Sequence, residues 1–136
     1  MRATFRGQHV GKKMPELLLR DGESANYNAF LAGDGSAITI QRYNSSAENR
    51  YETLATRTLP QPIPPGTPYT LEFIAVGKSL RLRVGDAVLD ASTPEPTRGR
   101  GVIYGADHDS FRDVQILNLD GLPEAEARRL ASLPAL

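Results

Sequence analysis

Apolar and polar residues alternate most regularly between Tyr69 and Ala91, in three short runs. Two dipeptides, Gly77-Lys78 and Gly85-Asp86, separate the runs. Glycine at the first central position of a two-residue loop is typical of a type II′ β-hairpin. The pattern therefore predicts an antiparallel meander of three strands, 69–76, 79–84 and 87–91.

These loops fix a register that separates apolar from polar side chains. The outer face pairs Glu72 with Arg83 and Arg81 with Asp90, which we interpret as cross-strand ion pairs. A slip of one residue would exchange the two faces, so the agreement of loops and side chains supports the register. The inner face then holds the apolar pairs Leu71/Val84, Phe73/Leu82, Ala75/Leu80, Leu82/Leu89 and Leu80/Ala91.

A second hairpin is predicted around Asp34-Gly35, a dipeptide that suits a type I′ turn. Its register places Leu31/Ile38 and Ala29/Ile40 inward. The outer face then pairs Asn28 with Gln41 and Phe30 with Thr39.

Further strands are predicted on both sides of these hairpins. Simple alternation in the run 50–59 places Tyr51, Thr53, Ala55 and Arg57 on one face. The strands outside the meander are 2–8, 15–20, 26–32, 36–43, 50–59, 99–106 and 111–119.

Proline residues determine the predicted structure of the two remaining segments, 60–68 and 123–133. Five prolines between Pro60 and Pro68 predict a stiff, extended crossover that links two sheets. The stretch 123–133 is the only predicted helix, with Pro123 at its first helical position and Pro134 after its end. Many short strands with little helix predict an all-β, two-sheet antiparallel sandwich with a short C-terminal helix. We expect residues 1–122 to form the sandwich and 123–136 the helical tail.

Composition narrows the classes of partner. The 136 residues fit one domain, and there is no cysteine for a disulfide or a thiolate metal site. Lys+Arg and Asp+Glu balance at 16 each, which argues against nucleic acid as a partner. No apolar run is long enough to span a membrane. Residues 1–6 already alternate and lack the apolar core of a signal peptide, so we expect a domain of a longer chain whose export depends on the parent.

Four segments in the second half of the chain resemble a known family: Tyr69-Thr-Leu-Glu-Phe73, Leu80-Arg-Leu-Arg-Val84-Gly-Asp86, Gly99-Arg-Gly101 and Phe111-Arg-Asp-Val114. In this order they are similar to the C-terminal half of concanavalin A-like jelly-roll domains. The nearest resemblance is to the bacterial laminin-G-like group that includes 3-keto-disaccharide hydrolases. Val84-Gly85-Asp86 reverses the usual order of Asp and Gly. The resemblance implies a jelly roll and a module attached to larger bacterial proteins.

The sequence offers little catalytic chemistry. Gly77-Lys78-Ser79 lacks both the earlier glycine and the following helix of a phosphate-binding loop. His9 and His108 are the only histidines, and both fall in predicted loops. The segment 107–109 carries two aspartates that suit Ca²⁺, but we interpret it as a solvated turn. The run of carboxylates typical of sandwich glycosidases is missing, so we predict no catalytic residues, metal or cofactor.

Two outer patches are the candidate ligand-binding sites: Asn28, Phe30, Thr39 and Gln41, and then Glu72, Arg81 and Arg83. Sugars have polar edges and C–H faces, so an aromatic ring flanked by amides suits them; the alternative is that Phe30 belongs to the core. We predict a non-catalytic binding module for carbohydrate or a cell-envelope component. A sugar hydrolase of the 3-keto-disaccharide type and a protein-interaction domain are the alternatives.

Overall fold

Ten strands and one helix make up the computed structural model, which describes residues 2–8, 16–21, 25–94, 100–104, 110–117, 119 and 121–132. Side chains are described for 25–94, 115, 117, 119 and 121–132. The elements are β1 Arg2–Gln8, β2 Glu16–Asp21, β3 Ala25–Leu31, β4 Ala37–Asn44, β5 Tyr51–Thr58, β6 Tyr69–Val76, β7 Ser79–Val84, β8 Ala87–Ser92, β9 Arg100–Tyr104, β10 Ser110–Leu117 and α1 Glu124–Ala131.

The strands form two five-stranded antiparallel sheets. The first sheet has the order β10-β1-β6-β7-β8, and the second has the order β5-β4-β3-β2-β9. The chain therefore crosses between the sheets several times, as a jelly roll does. The predicted all-β, two-sheet jelly-roll sandwich with a short C-terminal helix is confirmed.

The core lies between the inner faces of the two sheets. In the first sheet Leu71, Phe73 and Leu82 are completely buried, and the meander has the predicted register. Ile38 and Ile40 of the second sheet are buried in the same cluster. Removing a side chain of this size from water contributes about 1.5–3 kcal/mol, so burial of the two faces against each other is the main stabilising term.

Glycine conformation explains the tight hairpins of the meander. Gly77 and Gly85 have φ angles of 55° and 56°, in the left-handed region that the first position of such loops requires. The loop between β3 and β4 differs from its prediction. Its register is the predicted one, but the strands close at the hydrogen bond from Ala32 N to Ala37 O, so the loop has four residues rather than two.

Asp34 accounts for the longer loop. Its Oδ1 accepts hydrogen bonds from the backbone N–H and the hydroxyl of Ser36, at 3.0 and 2.6 Å. These bonds hold the pKa of the Asp34 carboxyl below its usual value. A side chain that satisfies the backbone two residues later replaces part of the pairing that a type I′ turn would have made.

Strand β5 contains a β-bulge that simple alternation does not predict. Thr53 pairs with Gln41 and Ala55 pairs with Ile40, so two steps along β5 match one step along β4. The bulge turns Arg57 towards the first sheet, where its Nη1 donates a hydrogen bond of 2.7 Å to the Val88 carbonyl. The prediction that Tyr51, Thr53, Ala55 and Arg57 share one face is therefore wrong: the first two lie on the outer face and the last two on the inner face.

The proline-rich segment connects β5 of the second sheet to β6 of the first, as predicted. It is anchored on the loop between β3 and β4. The backbone N–H of Leu59 donates to Ser36 O at 2.8 Å, and that of Ile63 donates to Gly35 O at 3.0 Å. The crossover and this hairpin loop thus form one packed unit.

Helix α1 covers part of the outer face of the first sheet. Its Ala127 and Ala131 pack with Leu119 against Ile74 and Val76, and these five residues form a second buried cluster. The helix begins one residue later than predicted, because Pro123 has ψ of 143° and occupies the N-cap position, and it ends at Ala131 with Ser132 as the C-cap residue. Among the described residues there is no helix long and apolar enough to cross a membrane.

Gly35 provides a direct test of the packed crossover. It has φ of 72°, and a Cβ added there would overlap the Ile63 carbonyl oxygen. Gly85 is a matched control because it has φ of 56° with open space around it. We expect Gly85→Ala to lower the free energy of unfolding by about 1–2 kcal/mol, the cost of left-handed backbone. In Gly35→Ala, overlap with the crossover should lower the free energy of unfolding by a further 1–3 kcal/mol or so.

Urea denaturation of the two variants measures this difference. Equal losses in Gly35→Ala and Gly85→Ala would contradict the packing of the crossover on the hairpin loop.

Candidate functional site

The outer face of β3, β4 and β5 brings together the first predicted group of ligand-binding residues. Asn28 pairs with Gln41 and Phe30 with Thr39, as predicted. Their chain neighbours, such as Ala29 and Ile40, point into the core. We call this surface the amide–aromatic face and define it by the residues Asn26, Asn28, Phe30, Thr39, Gln41, Tyr43, Tyr51, Thr53 and Thr56.

Phe30 is half-buried and lies outside both buried clusters. The helix does not cover it, since α1 packs on the other sheet. The alternative that Phe30 belongs to the core between the sheets is therefore not what the structure shows. The half-buried Phe30 ring offers apolar surface, with the Gln41 amide diagonally across the strand pair and the Asn28 amide, itself buried, beside it.

Interior positions of the sheet hold the polar groups of this face in place. Asn28 and Thr39, on the interior strands β3 and β4, are only 6% and 8% exposed. The hydroxyls of Thr39 and Thr56 are 3.3 Å apart, and the Gln41 amide nitrogen donates to the Thr53 hydroxyl at 3.5 Å. These contacts orient the side chains before any ligand arrives, which reduces the entropy lost on binding.

Sequence reasoning missed an aromatic pair at the end of this face. The rings of Tyr43 and Tyr51 have centroids 5.1 Å apart with a tilt of 53°. Tyr51 is 54% exposed and is the most exposed large hydrophobic side chain among the described residues. Tyr43 continues the alternation of Thr39 and Gln41, so its place on this face could have been found from the sequence.

Asn26 contributes a buried acceptor beside this pair. It is the β3 partner of Tyr43. Its Oδ1 is buried and accepts no hydrogen bond from any side chain or backbone group that the structure describes. A buried amide oxygen without a donor is costly, which favours a hydroxyl or water donor at this end of the face.

The second predicted group lies on the first sheet, away from the amide–aromatic face. Arg81 donates to both carboxylate oxygens of Asp90, at 2.7 and 3.0 Å, and Arg83 Nη1 is 3.5 Å from Glu72 Oε1. These are the predicted ion pairs. Glu72 is not the solvated residue that the pattern indicates, since it is only 6% exposed.

Little else in the described part of the chain suggests chemistry. A groove of about 430 Å³ runs between α1 and the outer face of β7 and β8. Its arginines are Arg81 and Arg128, and each is already paired with a carboxylate. No group of three or more side chains suited to a metal is found among the described residues. His9, His108 and the segment 107–109 lie outside them.

The two-sheet jelly roll is a fold that this chain shares with solved structures of other proteins. The chain is similar to the carbohydrate-binding module CBM66 from Bacillus subtilis, with a TM-score of 0.69 and 16% identity, over 83% of this chain and 71% of that one. It is also similar to the galectin LEC-6 of Caenorhabditis elegans, with a TM-score of 0.56 and 16% identity, over 76% and 74% of the two chains. No protein-family model and no curated protein matches the sequence.

Arg81 and Asp90 give a pH-dependent prediction. The hydrogen bonds from Arg81 hold the pKa of Asp90 below its usual value of 3.8. A depressed pKa in the folded state means that the pair stabilises the protein above the pKa of the unfolded chain and loses this effect as the pH falls through the folded pKa. Because the carboxylate is largely exposed, we expect at most about 0.2–1 kcal/mol.

NMR titration of the Asp90 carboxyl measures this shift. In Arg81→Met its pKa should return towards 3.8, whereas Arg83→Met, on the same strand and face, should leave it depressed. An unchanged Asp90 pKa in Arg81→Met would show that the pair does not form in solution.

Proposed function

We propose that this chain is a non-catalytic carbohydrate-binding module whose binding site is the amide–aromatic face. The observation that carries the proposal is Phe30, half-buried on the outer face of the second sheet beside the Asn28 and Gln41 amides. The C–H face of a sugar packs on an aromatic ring while its hydroxyls bond to the amides. The fold likeness to a carbohydrate-binding module and a galectin supports the same function.

The proposal extends to the context of the chain. We propose that it belongs to a larger bacterial protein, in line with the resemblance of its C-terminal half to concanavalin A-like and laminin-G-like modules, and that export depends on the parent. A cell-envelope glycan is then an accessible ligand.

The carboxylates on the outer face of the meander are already paired, which favours binding without catalysis over hydrolysis. The outer carboxylates of the meander, Glu72 and Asp90, are both engaged with arginines. Glycoside hydrolysis by the common mechanism needs two carboxyl groups free to act on either side of the scissile bond. A hydrolase of the 3-keto-disaccharide type would therefore have to use residues beyond this pair.

A glycan array followed by titration calorimetry tests the proposed site. We expect Phe30→Ala to weaken binding about tenfold or more, because an aromatic anchor at the centre of a site is worth more than 1 kcal/mol. Glu72→Gln and Arg81→Ala lie on the other sheet and should bind like the parent protein.

Each outcome separates the functions. Loss of binding in Phe30→Ala with normal binding in Glu72→Gln supports the module. Turnover of a 3-keto-disaccharide that is abolished in Glu72→Gln would establish the hydrolase instead. A concentration-dependent dimer in light scattering, with no glycan bound on the array, would favour a protein-interaction domain.

A further inference from the structure

The amide–aromatic face carries two separate groups of aromatic side chains, which we call aromatic stations. One is Phe30, flanked by its amides, and the other is the pair of Tyr43 and Tyr51. The first station lies on β3 and the second spans β4 and β5, so they stand at opposite ends of a diagonal across three strands. A site for one terminal sugar needs a single aromatic ring, and a second one suggests a longer ligand.

Strand geometry gives the length of this diagonal. Phe30 is opposite Thr39 on β4, and Tyr51 is opposite Tyr43 on the same strand. Four residues along a strand span about 13 Å, and two strand spacings span about 10 Å. The two stations are therefore roughly 16 Å apart, which is farther than one sugar ring can reach.

Polar groups line the path between the stations. Gln41 lies midway along β4, with its amide directed to Thr53 on β5. The Thr39 and Thr56 hydroxyls flank the same path. Hydroxyls and an amide can both donate and accept hydrogen bonds, as the hydroxyl groups of successive sugar units require.

The described residues of this face carry no formal charge, since they are asparagine, glutamine, threonine, tyrosine and phenylalanine. None of the residues that define the face is Asp, Glu, Lys or Arg. An acidic sugar would therefore find no cationic partner among them. Charge therefore favours a neutral ligand over a sulfated or uronic one.

Resting on the proposed function, we propose that the amide–aromatic face binds a neutral oligosaccharide chain laid diagonally across β3, β4 and β5, with one sugar unit on Phe30 and a later unit on Tyr51. The site recognises an internal stretch of glycan rather than a single terminal residue. Phe30 with its amides is the primary station, and the tyrosine pair is the extension.

Calorimetry with graded ligands tests this proposal. The probes are neutral cello-, xylo-, manno-, galacto- and fructo-oligosaccharides of one to six units, with oligogalacturonate and heparin fragments as acidic probes. For the series that binds, we expect the hexasaccharide to bind at least tenfold more tightly than the disaccharide. Affinity should change less than about twofold between 50 and 500 mM NaCl, because no ion pair is screened.

Point variants test how each aromatic station contributes to the binding of short and long ligands. Tyr51→Ala should lower the affinity for the hexasaccharide about tenfold and change the affinity for the disaccharide less than twofold. Phe30→Ala should lower the affinity for both. Tyr51→Phe keeps the ring and should bind like the parent protein if the ring surface is what matters. Lys78→Ala, at an exposed position in the loop between β6 and β7 of the first sheet, is the control for general effects of surface mutation.

The outcomes separate this proposal from the function on which it rests. A monosaccharide that binds as tightly as the hexasaccharide, with Tyr51→Ala silent, would overturn the extended site and leave the carbohydrate-binding function intact. Preferential binding of the acidic probes, with strong salt dependence, would overturn the proposal that the ligand is neutral. Failure of every probe to bind would overturn both proposals.

Discussion

The inner faces of the two sheets can leave water only by packing against each other, and the rest of the structure depends on this burial. Phe73 and Leu82 on one sheet and Ile38 and Ile40 on the other are completely buried, or nearly so, in a single cluster. Because side chains alternate along a strand, placing these residues inward forces the polar ones outward. The candidate site is thus a consequence of the core, with its residues placed by the register that the core requires.

The two outer faces have different roles in the molecule. On the first sheet, α1 covers Ile74 and Val76, and the nearby charges are paired with one another. On the second sheet the amide–aromatic face has no such cover from the helix, and its charge-free polar groups are held by contacts between neighbouring strands. The paired charges of the first sheet contribute to stability, whereas the second sheet presents the amides and aromatic rings on which the proposed binding site rests.

The bulge in β5 links the fold to the site. Without it, Thr56 would face inward and could not meet Thr39 across the strands. With it, the start of β5 presents Tyr51 outward while its end turns Arg57 in to hold β8. Bulges often redirect side chains beside binding sites, and here one extra residue lets the outward Tyr51 and Thr56 share a strand with the inward Arg57, whose contact with β8 joins the edges of the two sheets.

Local sequence by itself determined the strands, the meander with both its registers, and the pairing of Asn28, Phe30, Thr39 and Gln41. Alternation and glycine-led loops act over a few residues, so they can be read from the chain directly. Only the tertiary structure decided that Glu72 is buried, that β5 is bulged and that Tyr51 joins the face. Each of these depends on which strand lies alongside another, and strand neighbours far apart in the sequence are set by packing rather than by local pattern.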